Sequence, residues 1–240
     1  MTLPDSITIT INGQQVETQN NATLMEAIKH TGIETPVICF HPATTPEGIC
    51  RQCVVEVDGW RTLVPACVTK VAEGMVVHTH SERVVRARRT ILEMLNASVD
   101  LSEAPGVQAQ MEIYNADPAR FPNAKTRSQE VLDDNPFYVR DYQKCLMCWR
   151  CVQACGDDMQ YTYALSVGGR GFESKIATFY AAPMPDTTCV FCGNCVAVCP
   201  TNALKDKTEF FLDMGMDYDQ VRREKRKGRK LRKDQRSSDA

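Results

Sequence analysis

Cys189-Val-Phe-Cys-Gly-Asn-Cys-Val-Ala-Val-Cys-Pro200 is the stretch on which the reading of this chain turns. Two residues separate each of the first three cysteines, a fourth cysteine follows after three more, and a proline closes the run. Cys145, Cys148, Cys151 and Cys155 repeat the spacing upstream. Gaps this short let three thiolates converge on one face of an iron–sulfur cubane while the backbone curls around it. The fourth opens a helix and points back. Two such runs in one chain rarely arise by chance, so the spacing predicts two 4Fe–4S clusters.

The run resembles that of the bacterial 4Fe–4S ferredoxins. In their two-cluster members the fourth thiolate ligates the other cluster. The resemblance therefore implies crossed ligand sets: Cys145, Cys148 and Cys151 with Cys199 on the first cluster, and Cys189, Cys192 and Cys195 with Cys155 on the second.

The 240 residues have room for one large or two to three small domains, and 43% of them are apolar, enough for small cores. The formal net charge of −2 is small but unevenly spread, with basic residues gathered towards the C-terminal end. All twelve cysteines fall into three groups of four, the two runs and Cys39, Cys50, Cys53 and Cys67, which leaves none over for a disulfide. A disulfide framework belongs to secreted proteins. The opening Met-Thr-Leu-Pro-Asp-Ser has neither the charged n-region nor the apolar h-region of a signal peptide. No twin-arginine signal opens the chain, and no apolar run approaches the roughly 20 residues of a membrane helix. The expectation is a soluble protein of the reducing cytoplasm, with no membrane insertion.

Residues 1 to 80 predict a first cluster domain. Ser6-Ile-Thr-Ile-Thr-Ile11 alternates as a strand, Asn12-Gly13 is a hairpin turn signal, and Gln15 to Gln19 returns. Thr23 and Glu26 have the spacing of a capping box for a short helix that carries Leu24 and Ile28 and ends near Gly32. Val54 to Val57 reads as another strand, followed by a turn at Asp58-Gly59. A hairpin, a helix and further strands make a β-grasp pattern. Its four cysteines, spaced Cys-x10-Cys-x2-Cys-x13-Cys, suffice for one 2Fe–2S cluster. Four-cysteine zinc sites also use Cys-x2-Cys pairs, but there is one close pair here and the cysteines downstream carry iron–sulfur spacing. A Rieske centre needs two histidines on one iron; Cys39-Phe-His41 offers one half, and Cys50 and Cys53 supply no second. His41 is read as a hydrogen-bonding loop residue, and His30, His78 and His80 as structural or solvated.

Ser81 to Asn96 places Val84, Val85, Ile91, Leu92 and Leu95 in an amphipathic helix with Ser81 as its N-cap. Arg83, Arg86, Arg88 and Arg89 read as the solvated face of that helix, with contact to an acidic neighbour as the alternative. Pro105-Gly106 breaks the pattern, and Pro118, Pro122 and Pro136 predict a long irregular stretch up to residue 140. Such stretches are functional or pack over a neighbour.

Pro36-Val-Ile-Cys-Phe-His-Pro42, Cys50-Arg-Gln-Cys53, Arg88-Arg-Thr-Ile-Leu-Glu93, Ser166-Val-Gly-Gly-Arg-Gly-Phe172 and Cys189 to Ala203 carry a wider likeness. Together they resemble the N-terminal cluster-binding region of the large iron–sulfur subunit of NADH:quinone oxidoreductase (complex I). That region also occurs in NAD-linked and electron-bifurcating hydrogenases, in their diaphorase subunits and in NAD-linked formate dehydrogenases. The likeness covers about residues 5 to 215. The expected fold is α+β: a β-grasp 2Fe–2S ferredoxin domain over 1–80, a helix and irregular connector over 81–140, a two-cluster bacterial-ferredoxin-like domain over 141–205, and an extension with a basic tail over 206–240.

Three features depart from the family. It carries a histidine and three cysteines for a further 4Fe–4S cluster, whereas no histidine or cysteine occurs here from Ser81 to Lys144. Residues such as Ser102 and Gln108 do not replace soft thiolates, so that cluster is expected to be absent. Trp149 stands where the family has glycine after the second cysteine, while Gly193 keeps it in the second run. A shield over the cluster, a partner contact and plain packing are all open for this tryptophan. The likeness ends near Tyr218, where a formate dehydrogenase or hydrogenase would continue into a catalytic domain, so no molybdenum or di-iron site is expected in this chain.

From Val221 the chain reads Val-Arg-Arg-Glu-Lys-Arg-Lys-Gly-Arg-Lys-Leu-Arg-Lys-Asp-Gln-Arg. This is read as a solvated or disordered end that could dock an acidic partner subunit. With no aromatic residue interleaved after Tyr218, nucleic acid is not expected. No Gly-x-Gly-x-x-Gly follows a strand, and Gly168-Gly169-Arg170-Gly171 lacks that form, so FMN or FAD and NAD(P) are expected only in partner subunits. The expectation is a non-catalytic electron-relay subunit with one 2Fe–2S and two 4Fe–4S clusters. It would pass electrons between a flavin- and NADH-binding subunit resembling the complex I flavoprotein subunit and a separate catalytic subunit. Hydrogenase, formate dehydrogenase, transhydrogenase and acyl-CoA reductase types all fit. A free-standing multi-cluster ferredoxin and an iron–sulfur regulatory or nucleic-acid-binding protein are the alternatives.

Overall fold

The computed structural model describes residues 6–225, so most of the basic tail lies outside the described residues. The chain forms two compact units, Met1–Thr126 and Arg127–Ala240. The connector expected over 81–140 is therefore divided between them.

In the first unit β1 (Ser6–Ile11) and β2 (Gln14–Gln19) form the expected hairpin, with Ile9 opposite Val16. Asn12 and Gly13 both take positive φ, 49° and 84°, as in a two-residue turn whose twist matches its strands. Strand alternation sends Ile9, Ile11 and Val16 inward. α1 (Leu24–Lys29) begins at Thr23, whose Oγ1 accepts from the Glu26 N–H while the Glu26 carboxylate accepts from the Thr23 N–H. Two otherwise orphaned donors are satisfied by each other's residue. β3 (Val54–Val57), β4 (Val64–Pro65) and β5 (Val76–His78) complete a sheet of order β2-β1-β5-β3-β4. β1 and β5 run parallel and the other pairs antiparallel. Leu24, Ala27 and Ile28 of α1 share one core with the sheet and with Cys53 and Cys67. This is the expected β-grasp arrangement.

α2 (Glu82–Ser98) starts after Ser81 as its cap, but of its arginines only Arg86 is on an open, solvated face. Arg88 is buried and donates to the Tyr114 hydroxyl and the Val54 carbonyl, both at 2.8 Å. Arg83 pairs with Glu56 at 3.3 Å, and Arg89 donates to the Tyr114 carbonyl at 2.9 Å. A guanidinium carries five donors in a planar fork, and these tie α2 to β3. Pro105 does not break the chain into a loop either. It is the first residue of α3 (Pro105–Ile113), where a missing N–H costs little because that donor is unpaired in any helix.

In the second unit β6 (Val131–Leu132), β7 (Tyr138–Asp141), α4 (Arg150–Cys155), β8 (Ser166–Gly168), β9 (Lys175–Ala177), α5 (Asn194–Ala197), β10 (Leu204–Asp206) and α6 (Lys207–Asp213) follow in order. β7 is the centre of an antiparallel sheet β10-β7-β6, with Leu204 opposite Arg140. The glycine-rich stretch is the turn of the β8–β9 hairpin. Gly169 has φ +78°, and a Cβ there would lie 2.7 Å from the Glu173 carbonyl oxygen, so glycine is needed for a close backbone approach. Among the described residues no helix is long and apolar enough to cross a membrane.

Candidate metal centres

In the first unit four thiols meet as two pairs. The Cys39 N–H donates to Cys50 Sγ at 3.4 Å and the Cys50 N–H to Cys39 Sγ at 3.5 Å. Cys53 Sγ and Cys67 Sγ lie 3.4 Å apart. The second pair follows from the sheet: Cys53 precedes β3, Cys67 comes just after β4, and the two strands are antiparallel neighbours with Val54 opposite Pro65. The long Cys-x13-Cys gap is thus closed by a hairpin. Within each pair the hydrogen bond between the thiols raises one and lowers the other, raising Cys39 and Cys53 and lowering Cys50 and Cys67. His41 is the loop residue expected, its Nδ1 accepting from the Ala43 N–H at 3.2 Å.

In the second unit two cavities divide the remaining eight thiols. Cys145, Cys148, Cys151 and Cys199 line one, and Cys155, Cys189, Cys192 and Cys195 line the other. Each fourth cysteine faces the other run's cavity. Cys155 is the last residue of α4 and Cys199 lies just beyond α5, and these two helices are in contact. The cavities hold about 330 and 300 Å³ of empty space, open solvent at their mouths included. The eight thiols rim these two open spaces, each with room for more than a single ion.

The backbone curl has a conformational cause. Met147 and Trp149 in the first run have φ of 56° and 68°, and Phe191 and Gly193 in the second have 55° and 82°. These left-handed residues turn amides inward. The Met147 N–H donates to Cys145 Sγ and the Phe191 N–H to Cys189 Sγ, both at 3.4 Å. The Ala164 N–H donates to Cys155 Sγ at 3.2 Å. Burial pushes the Cys145 thiol up to about 11 and those of Cys148 and Cys195 up to about 12, and raises Cys151 well above its ordinary value. Such cavities disfavour bare thiolates and suit thiolates bound to cations, which deprotonate the thiols they bind.

Sequence reasoning missed the residues that reach these sulfurs from outside the runs. The Tyr138 hydroxyl lies 3.4 Å from Cys189 Sγ, and Thr162 Oγ1 lies 3.3 Å from Cys155 Sγ. Tyr138 lies in the stretch read as irregular, and nothing in the sequence around it names Cys189, which is 51 residues away.

Residues 4–82 match the family of 2Fe–2S iron–sulfur cluster binding domains, and residues 144–203 match that of 4Fe–4S dicluster domains. Over 215 residues the chain is 35% identical to the NADP-reducing hydrogenase subunit HndD of Solidesulfovibrio fructosivorans, covering 82% of this chain and 36% of that protein. Over 207 residues it is 31% identical to an NADH-quinone oxidoreductase subunit of Rhizobium meliloti (strain 1021), covering 82% of this chain and 24% of that protein. The chain therefore spans about a third and about a quarter of the length of these two relatives. It also matches, with a TM-score of 0.75 and 28% identity, a chain of the crystal structure of an NAD+-reducing NiFe-hydrogenase in the H2-reduced state, covering 84% of this chain and 87% of that one.

Proposed function

We propose that this chain, a member of the family of iron–sulfur subunits in which a 2Fe–2S domain precedes a 4Fe–4S dicluster domain, is the electron relay of an NAD(P)-linked oxidoreductase complex. The observation that carries the reading is the sorting of twelve thiols into three sets of four, eight of them crossed between two cavities. Cys39, Cys50, Cys53 and Cys67 would hold the 2Fe–2S cluster, two thiolates to each iron. Cys145, Cys148, Cys151 and Cys199 would hold one 4Fe–4S cluster, and Cys155, Cys189, Cys192 and Cys195 the other.

When bound, such clusters supply one-electron chemistry. The chain's own residues hold the thiolates, donate hydrogen bonds to sulfur and keep water away, which together set the potentials. Where the complex I likeness has a further cluster site, α2 and α3 contain no thiol or imidazole. Flavin and NAD(P) would belong to a partner subunit and the terminal reaction to another, a division that the complex I likeness implies; the hydrogenase and quinone oxidoreductase relatives are themselves named as subunits. Twelve free thiols with no disulfide suit the reducing cytoplasm.

Two measurements test the reading. Anaerobic analysis should give about ten iron and ten sulfide per chain, two from the first set and four from each of the others; about fourteen would mean a cluster beyond the three sets. Cys199→Ser should disturb the same 4Fe–4S EPR signal as Cys148→Ser, and Cys192→Ser the other, with the 2Fe–2S signal surviving all three. If Cys199→Ser and Cys192→Ser bleach the same signal, each run holds its own cluster and the crossed assignment is wrong.

A further inference from the structure

The two cysteine runs have equal spacing, and position by position they set Trp149 against Gly193. Both residues occupy left-handed backbone at the start of their helix, with φ 68° and ψ −3° for Trp149 and φ 82° and ψ −4° for Gly193. Glycine adopts that conformation freely, whereas a residue with a Cβ does so at a cost. A bulky side chain kept in strained backbone points to a task at its position. Trp149 lines the cavity of Cys145, Cys148, Cys151 and Cys199 while remaining partly exposed, so it stands at the rim between cavity and solvent. At the other cavity that cover is missing. A Cβ on Gly193 would meet no atom within 4 Å, and the adjacent Cys192 is exposed where its counterpart Cys148 is only partly so.

Hydrogen bonding to sulfur differs in the same direction. The second cavity has the Tyr138 hydroxyl 3.4 Å from Cys189 Sγ, Thr162 Oγ1 3.3 Å from Cys155 Sγ, and the Ala164 N–H donating to Cys155 Sγ at 3.2 Å. The Met147 N–H on Cys145 Sγ at the first is matched by the Phe191 N–H on Cys189 Sγ at the second, and among the described residues the side-chain hydroxyl near a ligand of the first is that of Thr201, 3.9 Å from Cys199 Sγ. Reduction adds negative charge, which hydrogen bonds to sulfur and access to water stabilise and a dry aromatic cover does not.

We propose that the two sites are poised unequally. The site of Cys155, Cys189, Cys192 and Cys195 is the more easily reduced, and Trp149 and Tyr138 are the positioning residues that set the difference. With both clusters bound, a single electron shared by the pair would rest at the second site, its transfer oxidising the first cluster as it reduces the second. This rests on the reading of both cavities as 4Fe–4S sites.

Anaerobic redox titration of the full-length protein, followed by EPR, tests it. Two 4Fe–4S midpoints should appear, and the more positive one should vanish in Cys192→Ser. Trp149→Gly should move the more negative midpoint upward and leave the other in place, while Trp149→Phe, which keeps an aromatic cover, should retain the original value. Tyr138→Phe should move the more positive midpoint downward, so that the gap closes from both sides. Should Trp149→Gly fail to fold, Gly193→Trp gives the reciprocal measure, a downward shift of the more positive midpoint. A tryptophan that merely packs would lower the melting temperature in Trp149→Gly and leave both midpoints unmoved. That result, or equal midpoints in the unaltered protein, overturns the proposal. An iron and sulfide count on the same samples separates this failure from that of the underlying reading: fewer than two 4Fe–4S clusters per chain would sink both.

Discussion

Arg88 carries a charge into the core of the first unit and makes it structural. It is 1% exposed, and its donors meet the Val54 carbonyl on β3 and the hydroxyl of Tyr114 after α3. Arg88→Met should leave both acceptors without their donor. A buried unsatisfied group costs about 1–3 kcal/mol, so the loss from two should be about 2–6 kcal/mol in urea unfolding. Arg88→Lys should recover little, because a single ammonium does not reproduce the planar fork. An arginine on a solvated face would change stability by less than about 0.5 kcal/mol, and a value that small would refute the role given to it. The position was legible even though its residue type misled: Arg88 is four residues from both Val84 and Leu92, which are buried on the same helical stripe. Glu93 shows the same pattern, buried with Arg120 at 3.2 Å and the Asp117 N–H at 3.1 Å as its partners. Periodicity marks which positions point inward, but whether a charge there finds a partner depends on residues that the fold supplies.

At the scale of elements, the features read correctly from sequence are the local ones. The β1–β2 hairpin, the Thr23–Glu26 box and the Ser81 cap each depend on residues a few positions apart. β6, β8 and β9, two or three residues each, exist through pairing with a partner strand and leave almost no signal of their own. Ser81 also joins two elements. Its Oγ accepts from the Val84 N–H at 3.3 Å and donates to the Glu56 carboxylate on β3. That hydroxyl, with Arg83 beside it, holds the Glu56 carboxyl below its usual value. A carboxyl depressed in the folded state adds stability above its unfolded value of about 4.3, and that stability is lost as pH falls through the lowered folded value. Ser81→Ala should therefore cost about 1 kcal/mol or more at neutral pH from the lost cap, plus the Glu56 contribution. In acid the second part disappears. Urea unfolding from pH 7 down to the most acidic condition in which the clusters stay bound should show the gap between the two proteins narrowing. A gap that is constant or widens with acid would show that Ser81 acts as a helix cap alone.

For the whole molecule, the three sets of four cysteines were visible in the spacing, while the boundary at residue 126 was not, because Arg88 and Arg89 fasten the region after residue 80 to the first unit through non-local hydrogen bonds. The two units also differ in how much their cores depend on sulfur. Among the described residues, four of the twelve in the second unit's main buried cluster are cysteines, against two of thirteen in the first unit's. The first core has the aliphatic stack of Ile9, Ile11, Leu24, Ile28 and Val55 to fall back on. Where ligands form the core, the free energy of binding metal is also free energy of folding. A fragment of residues 1–126 should therefore fold and keep a 2Fe–2S EPR signal, and should remain helical and sheet-containing by circular dichroism after its iron is chelated. A fragment of residues 127–240 should take up about eight iron when reconstituted anaerobically with iron and sulfide, and should lose cooperative urea unfolding once the iron is removed. Cooperative unfolding of the iron-free 127–240 fragment would show that its apolar residues suffice and that the clusters are passengers in a preformed fold. Collapse of iron-free 1–126 would show that the first unit, despite its aliphatic core, depends on metal as much as the second.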